Sequence, residues 1–507
     1  MKRIFSSLIL ALTLSLALAA NTFAAEFPKV DPEEYAGKKI GVTTGSVQER
    51  WAKDDFKDSK LVYVTNIADG ALALETGVID ALYSSDLPIR FFIGENPNKT
   101  MLRVREEGVP VAPIFAQNEE GDKLRAQFNE YIAKVEKDGT LKRLEDKWID
   151  GPEEIREFED PSTPPAVNGK LNIITMSGTP PFNYVKNRQI TGFEIEVVRE
   201  FCREIGYEPV FVDASLDGVI MGVHTGKYAM GASALMFTEE RAKSVNFSNQ
   251  ICECKGALLV NKDIATEKQG FFTSISEGFK RTFIEEDRWK MFASGIWATF
   301  LITTLSVLFG TALGFLLYLL CRNGNKIANT IVNAVNWLVT GMPLVVFLMV
   351  LFYIVFVKTD MSSMTVAIIG CTLIFALTVF QLMQLGERAV PLGQKEAAYS
   401  LGYNDLDTFI RIILPQAAQH ILPPYQREVV SFVKATAVVG YISVMDITKI
   451  GDIVRGRTYD AVFPLLAVVV SYFILCAIAK VAVKYLIKKV DTKTRKQSEI
   501  MKGVEIR

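Results

Sequence analysis

Histidine is almost missing from this chain: there are two in 507 residues, His224 and His420. No nucleophile–base constellation can be assembled around them. No G-x-x-x-x-G-K-[ST] occurs either, so the chain has no phosphate cradle of that kind for ATP. The six cysteines lack zinc-site spacing. Cys252 and Cys254, the close pair, share one face of a strand and have too little chain between them for an unstrained bridge, so they read as structural. A net charge of −1 leaves no excess for a polyanion, which excludes nucleic acid as a partner on charge grounds. No catalytic residue, metal site or cofactor is expected.

Apolar residues are plentiful but unevenly spread, and 507 residues is too long for one compact domain. Lys2 and Arg3 precede an apolar run and then small residues, so 1–25 reads as a secretory signal with cleavage after Ala19 or Ala24. No cysteine follows to carry a lipid anchor. Segment 26–150 alternates strands (39–42, 61–64, 80–83) with helices. Its long helix shows Leu124, Phe128, Tyr131, Ile132 and Val135 on one face. Segment 151–169 is a linker, rich in proline and acid. Segment 170–262 is again α/β, with strands at 171–175, 209–212 and 229–235 and a helix presenting Ile195, Val198, Phe201 and Ile205. An amphipathic connector, 263–290, leads to a membrane region, 291–490, and a basic tail, 491–507.

Five spans are expected in that region: 292–320, 327–357 (interrupted at Gly341-Met342-Pro343), 364–383, 429–444 and 461–487. Gly310 and Gly314 form a G-x-x-x-G for close helix packing. An exported N-terminal part and five spans leave the C-terminus in the cytoplasm, where Lys484, Lys488, Lys489, Lys493, Arg495 and Lys496 cluster. The basic loop 449–457 falls outside and weighs against this topology. Lys434 in the fourth span is either buried for function or snorkels to the interface.

The loop 396–415 falls on the cytoplasmic side. It predicts two short helices around a hinge: Gly402 as a left-handed cap, Asn404 capping the next helix with Asp407 three residues on, and Pro415 limiting that helix. Glu396, Ala397, Ala398, Gly402, Ile412, Leu414 and Pro415 fill every fixed position of E-A-A-x3-G-x9-I-x-L-P. This resembles the coupling loop of bacterial ABC importer permeases. The resemblance implies docking on a separate cytoplasmic ATPase, which would supply the hydrolysis that this chain cannot.

The two α/β segments are similar to halves of one family, the periplasmic amino-acid-binding proteins of polar amino-acid uptake systems. Segment 26–150 resembles its second lobe with the closing helices, and 170–262 its first lobe. The order is inverted, which implies a single receptor, circularly permuted, with the linker joining the old ends. Two degenerate receptors are the alternative. The resemblance points to Arg241, in Thr238-Glu239-Glu240-Arg241, as the cation for the ligand carboxylate, helped by Thr238 and by main-chain groups at Ala234 and Met236. Thr44, Gly45 and Ser46 match the second-lobe turn at a helix N-terminus. Asp86 is the candidate for the ammonium. Thr179 and Leu216 stand where the family often has stacking aromatics.

The expected architecture is therefore an α/β bilobed binding protein (type II, Venus-flytrap) followed by an all-α, five-span ABC importer permease. The expected function is uptake of polar amino acids (glutamine-, glutamate-, histidine- or arginine-like) across the bacterial inner membrane. The expected partners are the ATPase, a second permease chain as homodimer, a free amino acid and the lipid bilayer. An amino-acid-gated channel, a permease with non-binding regulatory lobes, and an enzyme are the rivals.

Overall fold

The computed structural model describes residues 27–96, 98–262, 271–322 and 325–490. The expected signal 1–25, the tail 491–507 and the start of the connector, 263–270, lie outside the described residues. The chain divides into two compact units. Met1–Arg288 with Asp452–Pro464 forms the first, and Trp289–Gly451 with Leu465–Arg507 the second.

Among its described residues the first unit carries fifteen strands: β1 (Lys39–Thr43), β2 (Lys60–Val64), β3 (Ala81–Ser85), β4 (Lys99–Arg103), β5 (Val109–Val111), β6 (Ile114–Phe115), β7 (Lys170–Thr175), β8 (Gly178–Thr179), β9 (Asn183–Lys186), β10 (Gln189–Thr191), β11 (Glu208–Asp213), β12 (Met230–Ala232), β13 (Asn246–Phe247), β14 (Cys252–Cys254) and β15 (Gly256–Asn261). Its helices are α1 (Val47–Asp55), α2 (Ile67–Glu75), α3 (Asp86–Glu95), α4 (Glu119–Lys137), α5 (Thr140–Glu145), α6 (Phe193–Glu204), α7 (Leu216–His224), α8 (Glu239–Ala242) and α9 (Phe271–Phe279).

Two five-stranded sheets make two lobes, in the orders β2-β1-β3-β15-β4 and β11-β7-β12-β6-β13. The lobes do not divide where the linker divides the sequence. Strand β15, from beyond the linker, lies antiparallel between β3 and β4. Strand β6, from before it, lies between β12 and β13. The two crossings run side by side as the antiparallel pair β5–β14, with Val111 opposite Cys252 and Val109 opposite Cys254. Cys252 and Cys254 are both buried free thiols on one face of β14.

The core is shared in the same way. On α6, Phe201 packs edge-to-face on Phe128 of α4, with ring centroids 5.0 Å apart. The buried Glu196 carboxylate accepts from Lys147 and from the Trp148 indole N–H, and its other oxygen takes the Glu159 N–H at 2.7 Å. Linker and closing helices are thus fastened to the lobe of β7. Gly192 opens α6 at φ +128°, where a Cβ would lie 2.1 Å from the Phe182 carbonyl oxygen. Only glycine fits there.

Asp452–Pro464 belongs to this unit through ion pairs and rings. Arg457 reaches Glu153 at 2.8 Å and Glu286 at 2.9 Å, and Arg455 pairs with Asp69. Tyr459 stands edge-on to Phe92, 4.7 Å between centroids.

The second unit is helical among its described residues. Its elements are α10 (Arg288–Arg322), α11 (Lys326–Thr340), α12 (Leu344–Val350), α13 (Ser363–Arg388), α14 (Leu392–Ser400), α15 (Asp405–Thr408), α16 (Leu414–Ala435), α17 (Ile447–Thr458) and α18 (Val462–Val490). Three of these cross the division: α10 and α18 start, and α17 ends, in the first. Among the described residues, three helical stretches are long and apolar enough to span a membrane, or up to five if each bent pair is one span. One pair bends by 109° around Gly341-Met342-Pro343. The G-x-x-x-G works as close packing: a Cβ at Gly314 would lie 2.3 Å from the Ala376 carbonyl oxygen of α13.

Pro415 corrects an expectation. It does not limit the second helix of the loop. The helical turns continue from 409–413 straight into α16, and the helix runs on through Pro415, Pro423 and Pro424.

Candidate functional site

The first unit gathers the residues expected to hold a ligand around the crossing strands. β12 runs out into a loop whose backbone is tied to the crossing: Ala112 N–H donates to the Leu235 carbonyl (3.1 Å) and Phe237 N–H to that of Pro110 (2.9 Å). Ala234 takes φ +49°, and its N–H donates to the buried Glu194 carboxylate at 2.6 Å. Burial pushes the Glu194 carboxyl up to about 7, against the N–H groups that favour its charged form. Thr238 caps α8, its hydroxyl accepting the Arg241 N–H at 3.2 Å. The Arg241 guanidinium folds back to the Met236 carbonyl (3.0 Å). Its pKa is lowered, first by burial and then by the charge of Arg50; Glu240 and Asp217 pull the other way.

Arg50 and Gln48 come from α1, in the facing lobe. Gln48 donates to the Ser85 hydroxyl and reaches Met236 Sδ at 3.7 Å, which places the first turn of α1 against the 236–241 loop. The turn 44–46 leads into that helix, and its N–H groups have acceptors within the chain. Thr44 donates to Val64 O (3.2 Å), Ser46 to Thr43 O (3.3 Å) and Gly45 to Glu49 Oε2 (2.9 Å). Ser46 caps the helix by accepting the Glu49 N–H. This is a capping-box arrangement whose S-x-x-E spacing is legible in the sequence. The Lys53 and Gly45 contacts together hold the Glu49 carboxyl below its usual range.

Asp86 opens α3 beside Ser85. Its carboxylate accepts the Lys255 N–H at 2.8 Å, and burial raises its pKa in spite of the N–H groups of Lys255 and Leu87. Phe182 is buried core against Phe193, and Thr179 and Leu216 are half-buried. Arg50 was not among the expected residues. Nothing in an exposed helix arginine marks it until the opposite lobe is seen.

In the second unit the loop 396–415 has two faces. Helix α14 closes on Gly402 at φ +82°, with Gly402 N–H to Tyr399 O (2.9 Å) and Tyr403 N–H to Ala398 O (3.1 Å). This left-handed ending suits glycine. Asn404 then caps α15 by accepting the Asp407 N–H at 2.8 Å. Ala398, Phe409 and Ile413 are buried, whereas Glu396 and Ala397 are exposed, as are Leu401 (76%) and Leu406 (61%). Ile412 and Leu414 are half-buried, and Gly402 and Pro415 exposed. The loop is held from inside by Arg322 at the end of α10. That side chain is buried, bonds Asp405 Oδ1 at 3.2 Å, lies 3.8 Å from Glu387 and covers the Phe409 ring at 4.1 Å. Tyr318 donates to the same Glu387. Lys434 is exposed near the end of α16.

No group of three or more metal-ligating side chains occurs among the described residues.

Comparison with known proteins gives matches for both parts. Bacterial extracellular solute-binding proteins, family 3, match residues 171–497, more than half of the chain. The probable amino-acid ABC transporter permease protein YckA of Bacillus subtilis is 29% identical over 196 residues, 38% of this chain and 87% of its own length. A Rickettsia felis protein named as the glutamine transport system permease GlnP is 30% identical over 199 residues, 38% of this chain and 90% of its own length. A crystal structure of an amino acid ABC transporter with histidines covers 44% of this chain and 100% of its own, at 24% identity and a TM-score of 0.38.

Proposed function

Because the chain belongs to the bacterial extracellular solute-binding proteins, family 3, and its membrane part to the amino-acid ABC transporter permeases, we propose that both act as one fused uptake subunit for polar amino acids. The chain is a transport subunit of the inner membrane and not an enzyme. Its binding part has the type II fold and works outside the cytoplasm; an ATPase partner and an amino-acid ligand go with the family.

The two α/β segments form a single permuted receptor. The observation that carries this is the strand exchange: β15 completes the sheet of β1–β4, and β6 completes that of β7, β11 and β12. A lone half would leave each sheet with a missing strand and unpaired main-chain groups. Arg241 binds the ligand carboxylate and Asp86 the ammonium. The exposed apolar side chains Leu401 and Leu406, beside Glu396 and Ala397, form the face that docks on the ATPase. Two chains make the pore as a homodimer, with each C-terminus in the cytoplasm.

The test is calorimetry on the full chain in detergent against a panel of amino acids. Saturable binding that Arg241→Ala removes supports the receptor. A folded chain that binds none of them refutes it. Copurification of two differently tagged copies tests the homodimer; recovery of single-tag complexes only would refute it.

A further inference from the structure

We propose that segment 452–464 is a strap that latches the two lobes together, and that its release from the lobe of β1 is the step that opens the cleft. This rests on the bilobed receptor proposed above and adds to it the residues that control its opening.

The segment lies where the lobes meet. Phe91 of α3 and Tyr184 of β9 are in ring contact there, with centroids 5.6 Å apart. Helices α2 and α3 belong to the lobe of β1, where their Leu74 and Phe92 share one core with Leu82 of β3. β8 and β9 belong to the other lobe. The Asn183 amide of β9 donates to the Thr175 hydroxyl of β7 at 3.2 Å and to the Ala232 carbonyl of β12 at 2.9 Å.

Successive residues of the segment go to opposite lobes. Arg455 pairs with Asp69 in the first turn of α2. Tyr459, one helical turn further on, stands against Phe92 (4.7 Å) and Phe91 (6.4 Å) of α3. These contacts hold the lobe of β1. Between them, Gly456 lies over β8, where a Cβ would come 3.4 Å from the Gly178 Cα, and Arg457 covers the Tyr184 ring at 5.4 Å. Arg457 also reaches Glu286 at 2.9 Å and Glu153 at 2.8 Å, and Glu153 is itself paired with Lys186 of β9 at 3.2 Å. These contacts hold the lobe of β7.

The two grips are unequal. Arg457 is buried between two carboxylates, so its pairs are little screened and costly to break. Arg455 has one carboxylate on the lobe of β1 and shares its guanidinium with Asp452 of the strap itself, 3.0 Å away. Tyr459 sits at φ +51°, a conformation that a bulky side chain keeps only where its surroundings hold it. Letting go of Asp69 and Phe92 frees that backbone, keeps Arg455 paired with Asp452 and leaves the strap on the lobe of β7. The latch therefore opens at one end and stays fixed at the other. The chain on both sides of the strap belongs to the second unit, so the membrane helices share in its movement by covalent connection.

The experiment is pulsed electron paramagnetic resonance on the full chain in detergent, without ligand. Nitroxide labels go on Lys57→Cys and Lys243→Cys, exposed positions on the lobes of β1 and β7. Five of the six natural cysteines are buried, and Cys476 is replaced by alanine. Asp69→Asn breaks the latch from the lobe side and leaves the strap untouched. It should raise the ratio of long to short interlobe distances by about 10- to 100-fold, the scale of a charge-assisted hydrogen bond. Arg455→Gln with Tyr459→Ala should raise it at least as far, whereas Arg455→Lys, which keeps the charge, should stay near the unaltered chain. Unchanged distances in Asp69→Asn would overturn the inference, as would an Arg455→Lys chain that opens as far as Arg455→Gln. Because the distances are read without ligand, the two readings fail separately. A chain that binds its amino acid but keeps its distances in Asp69→Asn retains the receptor and loses the strap. One that binds none, yet opens in Asp69→Asn, retains the strap and loses the amino acid.

Discussion

Replacing Phe201 by alanine tests whether the two α/β segments share one core. Phe201 is fully buried on α6, beyond the linker, and its ring meets Phe128 at 5.0 Å and Tyr131 at 5.8 Å, both on α4 before the linker. Loss of a buried phenylalanine costs about 3–5 kcal/mol through lost transfer energy and the cavity left behind. Each aromatic contact accounts for about 0.5–1.5 kcal/mol of such a loss. A tenfold change corresponds to about 1.4 kcal/mol, so the slowest amides should exchange about 100- to 4,000-fold faster. Hydrogen exchange with mass spectrometry on the full chain in detergent reads this peptide by peptide. Peptides from α4 and α6 should lose protection together, and peptides from α13 should keep theirs as an internal control. Faster exchange in α6 with α4 unchanged would refute the shared core, because both helices bury the same ring.

The buried Glu194, with its pKa pushed up to about 7 from 4.5, makes stability depend on pH. The native state keeps a proton that the unfolded chain releases, so this contribution is fully present below about 4.5 and is lost as pH rises through 7, by on the order of 3 kcal/mol. Glu194→Gln should flatten the decline in melting temperature over that window; an unchanged slope would show that another group carries it. Gly192→Ala should lower the melting temperature, since the backbone conformation alone costs about 1–3 kcal/mol for a side chain and the Cβ meets the Phe182 carbonyl. An unaltered melt would sink that reasoning. Arg322→Ala should leave amino-acid binding intact while ATP-driven uptake into vesicles drops by about tenfold or more, because Asp405 loses its charged anchor. Full uptake by that variant would mean the loop needs no such tether.

The loop 396–415 was largely legible in the sequence. Gly402, Asn404 and Asp407 act within a few residues of one another, and local rules of capping determine what they do. The same locality explains why periodicity found Leu124, Phe128, Tyr131, Ile132 and Val135 as one buried face. Pro415 shows the limit of local rules: a proline by itself marks a helix boundary, yet here the helical turns run through it from Asp405 to Ile442.

The sequence by itself determined the two regimes of the chain, the caps of its helices and the glycines that let them pack. Tertiary structure alone decided which strands pair. β15 and β6 cross to the opposite sheets, a choice made by main-chain bonds between residues more than a hundred positions apart, which no local pattern encodes. It also decided that Gln48 of α1 reaches Met236 of the facing lobe, a contact between residues 188 positions apart that no local rule places.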